Sequence, residues 1–265
     1  MLYGKDVLLY ETIDHVAVLT MNRPERRNAL STELLDRLAE GFTRFDEDDS
    51  ARVAILTGAG DKAFSAGGDL KEFAERGLRS VHDANRTTGG RTRYPSATYS
   101  WEVSKPVIAA VNGFALAGGF MVALRCDLRV ACEDAEFGIT EPLVGRAAPW
   151  AVPLLWSMPA AQGMELLLTG CRISARRAYE LGFVNRVVPR EKLMESALDL
   201  AASIARNAPL TVKAHKELFY RSMDVGRAVG FQIADELCRP VYESEDCQEG
   251  QRAFAEKRPP RWQGR

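Results

Sequence analysis

Histidine is scarce in this chain: His15, His82 and His215 are the only three in 265 residues. They stand far apart in no metal-ligand spacing, so no metal centre is expected. The five cysteines, Cys126, Cys132, Cys171, Cys238 and Cys247, are scattered without a CxxC pair. That spacing argues against a zinc site and predicts reduced thiols, either packed or exposed. No stretch approaches the roughly 18 uninterrupted apolar residues that span a bilayer. The opening MLYGKDVLLYETIDHV lacks the basic-then-apolar pattern of a signal peptide. A cytoplasmic location without a membrane partner is therefore expected. An excess of one charge is missing too: 35 Lys and Arg stand against 36 Asp and Glu, a net charge of -1. A general affinity for nucleic acid has no basis in that balance.

What is present is the make-up of a globular protein, 46% apolar and 27% charged, with enough length for a large core. Short β-branched runs recur: HVAVLT (15–20), VAILT (53–57), VIAAV (107–111) and LRVAC (128–132). Each is nearly continuous in apolar residues, as expected of strands buried on both faces. Between the first two, Leu34, Leu35, Leu38, Phe42 and Phe45 line one face of a helix whose N-cap is Ser31 or Thr32. Strand alternating with helix predicts an α/β core with parallel pairing. The acidic run Asp46–Asp49 reads as a solvated helix end. Residues 75–104 are polar, rich in arginine and weakly periodic, the character of a lid or a substrate-shaping segment.

After about residue 160 the pattern becomes helical. AAQGMELLLTG and SARRAYELG end at Gly170 and Gly182, and VNRVV is a brief strand before Pro189. Long amphipathic segments follow. Residues 1–206 read as the core and 207–265 as a helical region whose apolar faces must pack on the core or on another subunit. There is no low-complexity linker and no clear sequence repeat.

Two glycine-rich stretches carry the chemistry. In GAGDKAFSAGGDLKEF (58–73), Ala63 occupies the third glycine position of a dinucleotide fingerprint, and no Gly-Lys-Ser/Thr closes a phosphate loop. Ser65 also lacks the flanking glycine of a nucleophile elbow. What remains is a turn, Ala66-Gly67-Gly68, before a helix starting at Asp69. In VNGFALAGGFMVAL (111–124), a second small-residue turn enters a helix at Gly118. Two such turns, each following a strand of one sheet, can aim two backbone N–H groups at one oxygen, the arrangement of an oxyanion hole. Tight helix–strand packing is the other reading of the same glycines.

The pair KAFSAGGDL and PVIAAVNGFALAGG resembles the enoyl-CoA hydratase/isomerase (crotonase) superfamily. AEFGITEP, MELLLTG, ISARRAYELGFVNRVVP and FAEKR fit its later segments in order, so the resemblance covers nearly the whole chain. It implies an α/β spiral of ββα units with a C-terminal helical region for trimerisation, as a homotrimer or a hexamer built as a dimer of trimers. It further implies an acyl-CoA substrate, with no cofactor beyond the coenzyme A of that substrate. Carried over by position, the amides of Gly68 and Gly118 hold the enolate oxygen. The Ala66 backbone meets the adenine, Asp69, Leu70 and Lys71 line the CoA channel, and Arg27 and Ala29 lie along the CoA. Phe254 and Lys257 match residues that approach the nucleotide from the tail, although Lys257 also fits a solvated tail charge.

The chain departs from the hydratase pattern at one acid. The resemblance implies two glutamates; Glu141 matches the second, and Met121 stands at the first. A thioether neither activates water nor moves a proton. One carboxylate suits a proton shuttle, hence double-bond isomerisation, or an atypical hydratase in which another group replaces the acid. His82 and Tyr94 are candidates for that group. Arg146 could lower the pKa of Glu141 or bind a substrate carboxylate. AAPWAV (147–152) replaces the usual glycine-rich turn, altering the acyl pocket. A catalytically inactive acyl-CoA-binding subunit is the competing reading, favoured by Met121 and opposed by Glu141.

Overall fold

The computed structural model describes residues 6–77 and 103–265. The apolar runs become β2 (Val16–Met21), β3 (Val53–Gly58), β5 (Val107–Val111), β7 (Leu128–Cys132) and β10 (Arg186–Val188). They are parallel neighbours in that order, and β1 (Leu8–Ile13) pairs antiparallel with β2 at one edge. Burial on both faces explains the nearly unbroken apolar sequence. Because side chains alternate along a strand, Val16, Val18, Val53, Ile55, Ile108 and Ala110 share one face. There they meet Leu193, Ala197, Ala201 and Ala205 of helix α7 (Leu193–Ala205), whose small residues at every fourth position allow close approach. The opposite face packs on α1 (Thr32–Glu47). Ser31 is the N-cap of α1, accepting from the Leu34 amide at 3.2 Å.

A second sheet has the order β4 (Ala63–Ser65), β6 (Phe114–Leu116), β8 (Glu136–Gly138) and β9 (Arg172–Ser174). The first three are parallel and β9 is antiparallel to β8. A structural repeat now emerges that the residues do not reveal. Each of β3, β5 and β7 in the large sheet is followed by β4, β6 or β8 in the small one. A helical turn then completes each unit: α2 (Leu70–Glu75), α3 (Gly118–Arg125) and the 3-10 segment Glu141–Val144. Three successive units therefore place their strand-to-helix turns side by side.

Beyond these units come α4 (Leu154–Ser157), α5 (Ala160–Thr169) and α6 (Ala175–Glu180), with Gly170 in the left-handed cap that its position predicts. Helix α8 (Pro209–Met223) is anchored to the start of β7, with Lys216 Nζ 2.9 Å and Tyr220 Oη 2.8 Å from the Asp127 carboxylate. Helices α9 (Arg227–Glu243) and α10 (Glu245–Glu256) follow. The tail then returns to the N-terminal end of β3, where Arg52 donates to the carbonyls of Ala205 and Trp262.

The acidic run is less solvated than its sequence suggests. Asp46 accepts from the Ser104 amide and hydroxyl, and the buried Lys105 ammonium donates to the carbonyls of Phe45 and Asp48. The end of α1 is thus tied to the strand leading into β5.

Candidate active site

The C-terminal ends of β4, β6 and β8 converge because these strands pair in register, Ser65 with Ala115 and Leu116 with Gly138. Neighbouring strands lie about 4.8 Å apart, so the turns leaving them are adjacent. Gly68 sits three residues after Ser65, Gly118 two after Leu116, and Glu141 three after Gly138.

The first turn is held by the segment preceding α1. The Ala66 amide donates to Arg27 O at 3.0 Å, Leu30 N to Gly67 O at 2.8 Å, and Asp69 N to Leu30 O at 3.1 Å. The Gly67 amide reaches Ser65 Oγ at 3.3 Å. Every amide from Ala66 to Asp69 is therefore engaged except that of Gly68, which has no acceptor among the described residues. Arg27 and Asn28 both have left-handed backbones, with φ of 53°. The buried Asn28 amide side chain holds this bend by donating to the carbonyls of Ala59 and Ala63 and accepting from Arg23 N. Asn is among the few residues that tolerate such a backbone.

The second turn is strained. Ala117 has φ 51° and ψ -124°, a region that side chains rarely enter. Its amide donates to Gly138 O at 2.9 Å and its carbonyl accepts from Met121 N at 3.0 Å, which fixes the conformation from both sides. The Gly118 amide, at the first helical position, has no acceptor among the described residues. The two turns touch back to back. A methyl on Gly67 would lie 2.9 Å from Ala117 Cβ, and a methyl on Gly118 would lie 3.4 Å from Gly68 N. Two free amides thus border the same small space. At Gly119 a methyl would overlap the Ser65 carbonyl, so this glycine serves close packing, while the Gly118 amide has no acceptor among the described residues.

Glu141 is 7% exposed, and its Oε2 has no hydrogen-bond partner. Burial pushes its pKa above the ordinary carboxylate range; its own backbone amide, the Trp150 indole and the Arg146 charge pull it partly back. Beneath it, Phe120 stacks on Phe183 at 5.0 Å and meets Phe137 and Trp150, each at 6.1 Å between ring centroids. Met121 is 3% exposed within this apolar cluster. Arg146 folds back on Glu141, its amide donating to Glu141 O at 3.0 Å, and its guanidinium lies over the Phe73 ring at 5.7 Å.

The residues carried over for CoA divide into two groups. Arg27, Ala29, Ala66, Asp69, Leu70 and Lys71 are brought together around the first turn, with Leu70 and Lys71 exposed. The Asp69 carboxylate is already engaged, pairing with Arg23 at 2.9 Å and capping α2 through the Glu72 amide. Burial alone would raise its pKa, but the Arg23 hydrogen bond and the other partners bring it below the usual range. Phe254 and Lys257 belong to α10 and its cap, at the end of the molecule where the tail meets Arg52. Phe254 is 87% exposed.

Of the arginine-rich stretch, Arg76 binds Glu72 and Thr32. His82, Tyr94, Arg79, Arg86, Arg91 and Arg93 lie outside the described residues. Sequence reasoning missed Asn28, Arg23 and Phe73.

Residues 11–265 match the family model described as enoyl-CoA hydratase/isomerase. A carnitinyl-CoA dehydratase of Proteus mirabilis is 38% identical over 256 residues, covering 94% of this chain and 95% of that protein. The crystal structure of an enoyl-CoA hydratase from Mycobacterium marinum superposes with a TM-score of 0.88 at 40% identity, over 98% of this chain and 100% of the other. That of an enoyl-CoA hydratase from Bacillus anthracis gives 0.90 at 36% identity, with the same coverage. Strand register, paired glycine turns and similarity along the full length agree: the chain has the crotonase fold and belongs to the enoyl-CoA hydratase/isomerase family.

Proposed function

We propose that the protein is an acyl-CoA enzyme that moves a double bond, using the Gly68 and Gly118 amides as an oxyanion hole and Glu141 as the proton shuttle. The observation that carries this reading is one buried carboxylate with an unpartnered oxygen after β8, while the turns after the neighbouring β4 and β6 leave two amides without an acceptor among the described residues and Met121 occupies the α3 face. Glu141 takes a proton from C2 of a 3-enoyl thioester, and the electron pair shifts onto the thioester oxygen. The two amides stabilise that dienolate, each donor contributing about 3–4 kcal/mol. Glu141 then returns the proton at C4, leaving the 2-enoyl thioester. Its raised pKa suits a group that must both accept and release the proton.

In this reading Arg27, Ala29, Ala66, Asp69, Leu70 and Lys71 support the CoA. Asp69 acts by holding its turn. Phe254 and Lys257, on α10 and its cap, approach the nucleotide. Residues 207–265 form the trimerisation region, with Phe219, Phe231 and Tyr242 exposed on α8 and α9. No cofactor beyond the CoA of the substrate enters the reaction. Relatives named as hydratases and dehydratases support a second reading, water addition or loss with another group in place of the missing acid.

Incubation with 2-enoyl- and 3-enoyl-CoA in D2O separates the readings. Bond migration with deuterium uptake and little hydration supports the shuttle. Rapid hydration that depends on His82 or Tyr94 supports the second reading. Retained CoA binding without turnover indicates a non-catalytic binder.

A further inference from the structure

Arg146 forms no ion pair among the described residues, although its charge acts on Glu141. Left-handed Gly145 (φ 65°) ends the 3-10 segment and turns the chain, so that Arg146 packs back towards Glu141. The residue is half-buried, and its guanidinium forms no ion pair and no side-chain hydrogen bond among the described residues. Of the acids at the neighbouring helix α2, Asp69 pairs with Arg23 and Glu72 with Arg76, while Glu75 is paired with neither Arg146 nor another cation among the described residues. Glu141 itself is not in ion-pair contact with Arg146, and its Oε2 remains unpartnered. A ligand carboxylate would supply Arg146 with the partner that the described residues do not.

Its position relates it to the reacting carbon. The ring of Phe73 is shared: the Arg146 guanidinium lies over its face at 5.7 Å, and its edge lies 2.8 Å from where a methyl on Gly68 would sit. With standard bond lengths, these contacts put the guanidinium carbon within about 11 Å of the Gly68 backbone. An extended acyl chain of roughly four to six carbons with a terminal carboxylate has the length to reach from one to the other.

We infer that Arg146 reads an anionic terminus on the acyl group, making the preferred substrate the mono-CoA thioester of a short unsaturated dicarboxylic acid. The planar fork of arginine matches a carboxylate through two parallel hydrogen bonds. The same charge opposes an acyl group bearing a cation, such as the quaternary ammonium of a carnitinyl chain. On this reading the substrate differs in charge from the one named for the dehydratase relatives. The inference rests on the acyl-CoA reading of the site.

The test compares the CoA thioesters of hex-3-enedioic and hex-3-enoic acids, with 4-(trimethylammonio)but-2-enoyl-CoA as the cationic probe. For each enzyme the readout is the kcat/KM ratio of diacid to monoacid, which cancels any effect of Arg146 on Glu141. The wild type favours the diacid, and Arg146→Gln lowers the ratio by about 10- to 100-fold, as expected for hydrogen bonds to a charged group. Arg146→Lys retains part of it, and Arg146→Glu shifts preference towards the cationic probe. A wild-type ratio near one, or a ratio unchanged in Arg146→Gln, overturns the inference. Calorimetry with the saturated hexanedioyl-CoA and hexanoyl-CoA distinguishes the two levels of the argument. Arg146-dependent diacid binding without turnover refutes the proposed catalysis but not the specificity. Turnover of both acids with equal binding refutes the specificity but not the catalysis.

Discussion

Replacing Glu141 by glutamine is expected to destroy activity while making the protein more stable above neutral pH. The wild-type carboxyl is 7% exposed with an unpartnered Oε2, and burial raises its pKa. A carboxyl whose pKa is higher folded than unfolded binds its proton more tightly in the native state. Its favourable contribution is complete below the unfolded pKa and is lost as pH rises through the folded value. Beyond that point the native state carries a buried charge with one oxygen unsatisfied, a penalty of about 1–3 kcal/mol. Glutamine has no proton to lose and avoids that charge. At about 2–4 °C per kcal/mol for a chain near this size, the variant should melt several degrees above wild type at pH 8. That advantage should shrink towards pH 5. Calorimetric melting of both proteins across this range measures the difference, in which all other titrating groups cancel. Isomerisation should fall about 10²- to 10⁴-fold in the same variant. A melting difference that is flat with pH, or a variant less stable at pH 8 than at pH 5 relative to wild type, would refute the account of Glu141 as a strained buried acid. Full activity would remove it from the mechanism.

Gly118→Ala should lower kcat about 10²- to 10³-fold with a modest stability loss, because the added methyl lies 3.4 Å from Gly68 N and 3.1 Å from Leu30 Cδ1; paired kinetics and melting measure both effects. Asn28→Ala should cost about 2–4 kcal/mol in urea unfolding, since it strips three backbone groups of their partner at a left-handed position; a loss below 1 kcal/mol would contradict its role in holding the turn. Met121→Glu should raise hydration of 2-enoyl-CoA relative to bond migration, at a cost in melting temperature from burying an acid among Phe120 and its neighbours; unchanged partition between the two reactions would show that the missing acid does not decide the chemistry.

The elements legible in the residues were those whose local pattern and burial agree. β2, β3, β5 and β7 are apolar throughout because both faces are covered, and α1 shows its stripe because one face is not. β4, β6, β8 and β9 were missed as strands: three residues each are too few for a periodic signal. Yet this small sheet is what aligns the turns. The resemblance pointed to the amides of Gly68 and Gly118, but why they lack an acceptor among the described residues was not legible. Gly68 is left over only because Arg27, Leu30 and Ser65 engage its neighbours. Asn28 shows no more in sequence than a polar residue in a charged loop.

The sequence by itself determined the α/β class, the family, the glycine turns and the substitution of Met121 for an acid, because each is carried by residue type and local spacing. Only the tertiary structure decided that the turns bearing Gly68 and Gly118 touch and that Glu141 follows the strand paired beside them. Contacts between residues 50 and more apart depend on strand register, and register is set by the packing of the whole sheet. The same holds for Arg146: its charge is written in the chain, but its lack of a partner depends on which other charges the fold has already paired.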